Sequence, residues 1–273
     1  MQHKTLNKIS AFLLAELNSS DKKFFSYSEA QVVLSESTPK AVNELLRKMI
    51  DRGLIMRIKE GLYHTIPYDQ NPDEYQPDWH LAASHLFDTE KYYIGYYSAL
   101  SIHSIITQPA LKEQIVTANR QTKKGITVKS IDYQFIYHNS DHFFGIKNVW
   151  VDNFNKVKCS DVEKTIIDCL FMPEYAGGIV EIAKAIFKVK DSLVYNKLYL
   201  YTIKFKSQAV VKRLGYLLEL LEIENEIIFL LLADRTNSFV QLDPSLPKSG
   251  KMLSRWSIQI NIDTETIKSA LNN

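Results

Sequence analysis

Long polar side chains on one face of a predicted helix, residues 39–52, are the feature of this sequence with the clearest chemical potential. Helical spacing places them opposite an apolar stripe that includes Val42, Leu45 and Met49. Side chains of this kind near the start of a helix can reach base edges in the major groove of a DNA duplex. The sequence therefore predicts a DNA-reading helix, with contacts made by Lys40, Asn43, Arg47 and Lys48.

The residues around this helix indicate how it is positioned. Ser37 or Thr38 can cap its first turn, and Pro39 fits the first helical position, where a missing N–H costs nothing. Gly53 follows the last turn, as a glycine often does. A shorter helix is predicted over residues 27–34, so the two helices would form a helix-turn-helix.

A β-hairpin is predicted directly after the two helices, at residues 54–63. Apolar and polar residues alternate there on both sides of a turn at Glu60 and Gly61. Helix, helix and basic hairpin in this order are typical of a winged helix-turn-helix, which we predict for residues 1–67. The remaining predicted DNA contacts are Arg57 and Lys59 in the hairpin, facing phosphate, and Lys22 and Lys23 before the first helix.

An amphipathic helix over residues 3–18 completes the predicted N-terminal module. Two plainer interpretations of the module stay open. A basic helix face can be merely solvated, and some winged helices bind proteins rather than DNA. The predicted apolar side of this first helix consists of Leu6, Ile9, Phe12, Leu13 and Leu14.

Charge is distributed unevenly along the 273 residues, a length that suggests about two domains. The net charge is only +2, and 45% hydrophobic and 23% charged residues are ordinary values for a water-soluble protein. Residues 1–66 hold ten Lys and Arg against seven Asp and Glu, whereas the remainder holds 23 against 24. The positive excess therefore lies on the predicted DNA-binding module.

Cysteine usage and the absence of targeting signals indicate a compartment. Cys159 and Cys169 lack the spacing of a metal or redox motif, which favours a reducing environment. The N-terminus has no signal-peptide core, and no apolar run approaches the roughly 18 residues that cross a membrane. We therefore expect a cytoplasmic protein with no membrane partner.

The domain division is predicted at residues 68–79, a stretch rich in Pro, Asp, Asn and Gln that is typical of a linker. A larger mixed α/β domain is predicted over residues 80–273. Short strand patterns occur between residues 114 and 157, and mostly helical patterns follow. The predicted fold class is α+β, with a small winged helix-turn-helix followed by this larger domain.

Two other groups of residues could do chemistry, but each has a plainer explanation. His138 and His142 are separated by a turn and lack the further ligands that a metal requires. The carboxylates of the predicted helix at 160–172 share one short element instead of converging from separate strands. We predict no catalytic residue, no metal site and no cofactor.

Basic residues recur on the predicted helices of the second domain. Some are four residues apart on one helix, and others cluster at the start of the next. They would form a second basic surface, facing the same duplex or an acidic partner, although ordinary solvated lysines are the alternative. This predicted second basic surface comprises Lys184, Lys188, Lys204, Lys206, Lys212 and Arg213.

Several strings in the second domain carry a family resemblance that covers nearly the whole chain. Together with the predicted winged module, the chain resembles the AbiEi-type antitoxins, which are winged-helix regulators of abortive-infection, or type IV toxin–antitoxin, operons. The strings are YYIGYYSALSIHSI at 92–105, CSDVEKTIIDCLFMPEYAGGIVEIAKAI at 159–186, RLGYLLELL at 213–221 and RWSIQIN at 255–261.

The resemblance implies a division of labour. The winged helix would bind inverted repeats in double-stranded promoter DNA and repress its own operon. The C-terminal antitoxin domain would counteract a nucleotidyltransferase-like toxin without needing a stable complex with it. Two alternatives remain: a one-component regulator whose second domain senses a ligand in an apolar cavity, and an enzyme that a winged helix targets to nucleic acid.

Overall fold

Helices and strands are interspersed along the whole chain in the computed structural model, which describes residues 4–87, 91–106, 108 and 110–272. In this part of the chain, eleven α-helices and twelve β-strands in three sheets form a mixed α+β protein, which confirms the predicted class. The residues group into two compact units. The first contains residues 4–87 and 126–132, and the second contains 91–125 and 133–272. No helix within these ranges is long and apolar enough to span a bilayer.

The first unit contains the predicted helices and hairpin. Its three-stranded antiparallel sheet has the order β1-β3-β2. Its core includes Leu13 from the first helix, Leu46 and Met49 from the third, and Phe25 from the first strand. The elements are α1 (Lys8–Ser19), β1 (Phe24–Ser26), α2 (Tyr27–Val33), α3 (Pro39–Asp51), β2 (Ile55–Lys59), β3 (Leu62–Thr65) and α4 (Trp79–Leu86).

The buried face of α1 differs from the predicted one. Leu13 and Leu17 point into the core, whereas Leu6, Ile9 and Phe12 are each about half exposed. The prediction was therefore wrong for these three residues. The reason is the helical phase: α1 begins at Lys8, after an Asn7 cap, and its buried positions are Ser10, Leu13 and Leu17.

Both ends of α3 follow the sequence prediction. Thr38 is the N-cap, its side chain accepts a hydrogen bond from the Ala41 N–H, and Pro39 begins the helix. At the other end, Gly53 has φ +66 and its N–H donates to the Ile50 carbonyl, the pattern of a left-handed helix terminator. A β-carbon on Gly53 would lie 2.2 Å from Pro72 Cγ, so glycine is required there for two independent reasons.

The predicted linker, residues 68–79, groups with the first unit, as does α4. Tyr68 Oη donates to the Lys4 carbonyl oxygen at 2.7 Å, and Tyr75 Oη lies 2.9 Å from His64 Nε2. Gln76 Nε2 also donates to Ser130 Oγ at 2.6 Å. This segment therefore packs against the first unit despite its polar, proline-bearing composition. Its tyrosines and Pro72 make the contacts.

A six-stranded sheet of order β6-β7-β5-β4-β9-β8 runs through the strand-rich block. Strand β9 pairs in parallel with β4, with Ile94 opposite Cys159, and antiparallel with β8, which lies at the edge. The elements here are β4 (Tyr92–Ile94), α5 (Tyr96–Ile102), β5 (Lys112–Thr117), β6 (Gly125–Val128), β7 (Ile131–Tyr137), β8 (Ile146–Trp150) and β9 (Lys156–Ser160).

The remaining helices and a small third sheet complete the core of the second unit. Trp256 is fully buried, and a β-carbon on Gly215 would lie 2.1 Å from its ring. The indole therefore occupies the space that the missing side chain leaves. The elements are α6 (Val162–Phe171), α7 (Ile179–Val189), α8 (Tyr195–Phe205), α9 (Gln208–Leu220), α10 (Ile227–Asp234), β10 (Val240–Gln241), β11 (Lys251–Leu253), β12 (Ile258–Ile260) and α11 (Thr264–Ser269).

Candidate nucleic-acid interface

The exposed face of α3 carries every polar residue predicted on it. Val42 and Met49 are fully buried on the opposite side, so the core fixes the rotation of the helix. Within the described part of the chain, the side chains of Lys40 and Arg47 form no hydrogen bond or ion pair. The exposed residues of this face are Lys40, Asn43, Glu44, Arg47 and Lys48.

Asn43 and Lys48 have partners on the protein itself. The Asn43 amide Nδ2 donates to the Pro39 carbonyl oxygen at 3.1 Å and lies 3.4 Å from Tyr27 Oη, so it is oriented by the start of α3. Lys48 forms an exposed ion pair with Glu44 at 2.7 Å, and the Lys48 ammonium lowers the pKa of the Glu44 carboxyl. The unpaired cations of α3 are therefore Lys40 and Arg47.

The β2–β3 hairpin carries two cations, and one of them is hydrogen-bonded to the protein itself. Arg57 is exposed and, among the described residues, has no hydrogen-bonded or ionic partner. The Lys59 ammonium instead donates to the Leu86 carbonyl oxygen near the end of α4, at 2.6 Å. The register shifts between Arg57 and Lys59, and Gly61 adopts φ +74 at the turn. Arg57 is thus better placed than Lys59 to contact a ligand.

Lys22 and Lys23 lie before α2 and are both exposed. Lys22 pairs with Glu29, which also accepts a hydrogen bond from the Ser26 N–H in the capping box of α2. The Lys23 carbonyl oxygen accepts a hydrogen bond from the Thr65 N–H at 2.9 Å. The Lys23 side chain is exposed to solvent. Lys23 is therefore the available cation of this pair.

Two members of the predicted second basic surface are buried, which is a correction to the sequence prediction. The Arg213 guanidinium donates to the carbonyl oxygens of Leu170 at 2.6 Å and Gln241 at 3.1 Å, and burial lowers its pKa to about 10. The Lys212 ammonium is bonded to Thr236 Oγ1 at 3.1 Å and to Ser238. Neither side chain can reach a ligand on the surface.

The other four residues are dispersed over two helices. Lys184 pairs with Glu181 at 3.0 Å, and Lys188 on the same helix is exposed. Lys204 is exposed with its ammonium 4.7 Å from the Phe144 ring centre, and Lys206 follows α8 in a left-handed conformation. The six residues do not form one basic surface.

Comparison with known proteins adds a likeness of fold. No family model matches the sequence, and no curated protein matches it. The chain is similar to the crystal structure of the RV2827C protein from Mycobacterium tuberculosis, with a TM-score of 0.75. The two are 11% identical, and the alignment covers 100% of this chain and 97% of that one. At this identity the two chains share a fold, and nothing about activity follows.

A buried polar cluster in the second unit was not predicted. Lys164 and Asp168, four residues apart on α6, form a fully buried ion pair. Tyr93 Oη lies 3.0 Å from both the Lys164 ammonium and Asp168 Oδ2. Burial raises the pKa of the Asp168 carboxyl, and the Lys164 ammonium opposes that change. The i, i+4 spacing was visible in the sequence, but nothing there indicated that this face is covered.

The two histidines considered as metal ligands belong to the aromatic surroundings of that cluster. His138 Nε2 lies 2.6 Å from Tyr96 Oη, and burial together with the Lys164 charge lowers the pKa of His138 to about 2. His142 stacks on Phe205 with ring centres 3.7 Å apart. Among the described residues, no group of three or more potential ligands could hold a metal. The side chains of Tyr93, Lys164 and Asp168 are all fully buried.

Proposed function

We propose that this protein is a winged helix-turn-helix repressor of its own promoter and the antitoxin of a type IV toxin–antitoxin pair. The observation that carries the DNA-binding part is the exposed face of α3. Lys40 and Arg47 have no partner there among the residues that the structure describes, while the opposite side of the helix is buried in the core. Unpaired cations that are held at fixed positions on a helix are suited to phosphate and base edges.

The hairpin supports the same proposal. Arg57 is a further cation outside α3 that has no partner among the described residues, and its strand neighbours Met56 and Ile58 are buried. A buried strand of this kind gives a phosphate contact a rigid base. With Lys23, four of the predicted contact residues are cations that have no partner among the described residues: Lys23, Lys40, Arg47 and Arg57.

The regulatory half of the proposal rests on the family resemblance. In it, the DNA target is an inverted repeat in the operon's own promoter. The second unit counteracts a nucleotidyltransferase-like toxin during phage infection, without a stable complex being required. The proposal gives no catalytic role to the polar cluster around Lys164 and Asp168, whose side chains are fully buried.

DNA binding is tested by titrating the full-length protein into labelled duplexes from upstream of its gene. We expect Arg47→Ala and Lys40→Ala each to weaken specific binding by roughly 1–3 kcal/mol. Lys8→Ala is the matched control, because Lys8 is an exposed lysine on a different helix, α1, and is not among the predicted contacts. It should bind like the wild type. Unchanged affinity for both α3 variants would disprove the assignment of this face.

The antitoxin role is tested with full-length variants, because the segment around residues 68–79 packs as part of the first unit. The double variant Lys40→Ala/Arg47→Ala should lose repression of a promoter reporter. It should still protect cells that express the product of the neighbouring toxin gene. Loss of protection by a folded double variant would show that the two activities are not separable.

A cavity in the second unit favours one alternative function, a regulator that senses a ligand. Its volume is about 440 Å³, within the range of small-molecule sites. Apolar side chains such as Ile105 and Phe187 line it beside Lys188, a composition suited to an apolar carboxylic acid. A compound of that class that raises the melting temperature and changes duplex affinity would favour this function over the antitoxin.

A further inference from the structure

The hairpin formed by β8 and β9 presents an exposed polar and aromatic face. Trp150 is directly opposite Lys156, and Asn148 is directly opposite Lys158. Residues that face each other across antiparallel strands lie on the same side of the sheet. All four residues are exposed, Trp150 to 57%, so this face is open to solvent at the edge of the six-stranded sheet.

The turn of this hairpin exposes a second aromatic ring. Asp152 Oδ1 accepts hydrogen bonds from the Phe154 N–H at 2.7 Å and the Asn155 N–H at 2.6 Å. The Val151 N–H donates to the Asn155 carbonyl oxygen at 3.0 Å and closes the loop. Phe154 is 87% exposed. The turn is therefore held in one conformation that keeps a large apolar ring in water.

The net charge of the hairpin around these rings is positive. The Lys156 ammonium lies 4.1 Å from the Trp150 ring centre, and Lys158 lies 5.2 Å from that of Tyr92. Across the described residues, neither lysine pairs with a carboxylate. Residues 112–158 contain eight Lys and Arg against four Asp and Glu, a larger excess than in residues 1–66. This excess is visible in the sequence, but only the strand pairing places two of its lysines beside an exposed tryptophan.

We propose that the β8–β9 hairpin binds single-stranded nucleic acid. Exposed Trp and Phe rings are stacking platforms for unpaired bases, and interleaved lysines neutralise the phosphates between those bases. A duplex would leave the rings unused, because its bases are already stacked. Lysines also protect edge strands from aggregation, but a Trp and a Phe on the same hairpin would counteract such protection.

The stacking part is tested by fluorescence anisotropy with full-length protein and labelled oligo(dT) and oligo(rU) of twelve nucleotides. We expect Trp150→Ala/Phe154→Ala to weaken binding by about fivefold to 150-fold for each base that loses its stack. Trp150→Phe should keep most of the affinity, since an aromatic face remains. Wild-type affinity in the double alanine variant would overturn the proposal.

The electrostatic part is tested through the salt dependence of the same binding reaction. Lys156→Ala/Lys158→Ala should reduce the slope of log K against log salt by about 0.7 for each phosphate that is no longer neutralised. Lys248→Ala/Lys251→Ala is the matched control, because both residues are exposed elsewhere in the second unit. Equal slopes in the two double variants would overturn the proposal. So would hairpin-dependent binding to anionic lipid vesicles with no binding to the oligonucleotides.

This hairpin function is independent of promoter recognition. Lys40→Ala/Arg47→Ala should lose duplex binding and retain the oligonucleotides, and the hairpin variants should do the reverse. If the α3 variant lost both ligands, the single strand would be binding to the first unit and the hairpin assignment would be wrong.

Discussion

Helices α3 and α9 carry similar basic residues, and the structure places them in opposite environments. On α3, one side is buried and the other is in water, so Lys40 and Arg47 are free. On α9, every residue from 210 to 218 is buried, so the side chains of Lys212 and Arg213 lie inside the protein. The number of helix sides that neighbours cover, rather than the residue type, decides whether a basic residue is exposed to solvent or buried in the fold.

The same contrast holds for the partners that each cation finds. Arg213 satisfies its N–H groups with backbone carbonyl oxygens, and Lys164 satisfies its ammonium with Asp168 and Tyr93. Most N–H groups of these two cations already have partners, and both side chains are buried away from any surface ligand. Removing a buried cation should therefore cost stability, while removing an exposed one should cost binding.

The largest effect is expected from Lys164→Met. It leaves the Asp168 carboxylate buried without its cation, and breaking a buried pair in this way costs about 3–5 kcal/mol of unfolding free energy. Lys164→Met/Asp168→Leu removes both charges and should recover most of that loss. Urea denaturation measures both variants. A double variant as unstable as the single one would show that the cluster supports the fold through packing and not through charge.

The sharpest comparison uses the same substitution at two arginines. Arg213→Ala leaves the carbonyl oxygens of Leu170 and Gln241 without their donor, and we expect a loss of about 2 kcal/mol or more of stability. Arg47→Ala, on the exposed face, should stay within about 0.5 kcal/mol of the wild type. Thermal melts and duplex titrations on both proteins test this. A folded Arg213→Ala protein that has lost duplex affinity would break the distinction between the two helices.

The sequence could predict α3 because its signals are local. Thr38, Pro39 and Gly53 mark the ends of the helix within a few residues, and the apolar stripe fixes its rotation. It could not predict the burial of Arg213, since that depends on carbonyl oxygens from α6 and β10, distant in sequence. Helix α1 shows the same limit, because periodicity found an apolar side but the position of the Asn7 cap selects which leucines are buried.

The smallest effect concerns a buried titratable group in the first unit, His64. Burial lowers its pKa from 6.5 to about 4, so between these values the unfolded chain binds a proton that the folded chain does not. Stability should therefore fall as the pH drops from 7 to 5, by roughly 2 kcal/mol from this residue. His64→Gln removes the titration while keeping a polar partner for Tyr75. The measurement is the difference in unfolding free energy between the wild type and His64→Gln at each pH. If that difference did not change with pH, His64 would not be the source of the pH dependence.

The packing of Trp256 against Gly215 affects the order in which a growing chain can fold. Helix α9 emerges from the ribosome well before the indole that fills the gap beside its glycine. Until then, the apolar surface that this ring covers is exposed, and such intermediates are prone to aggregate or to engage chaperones. The second unit should therefore reach its native packing late in synthesis, after most of the first unit has already been made.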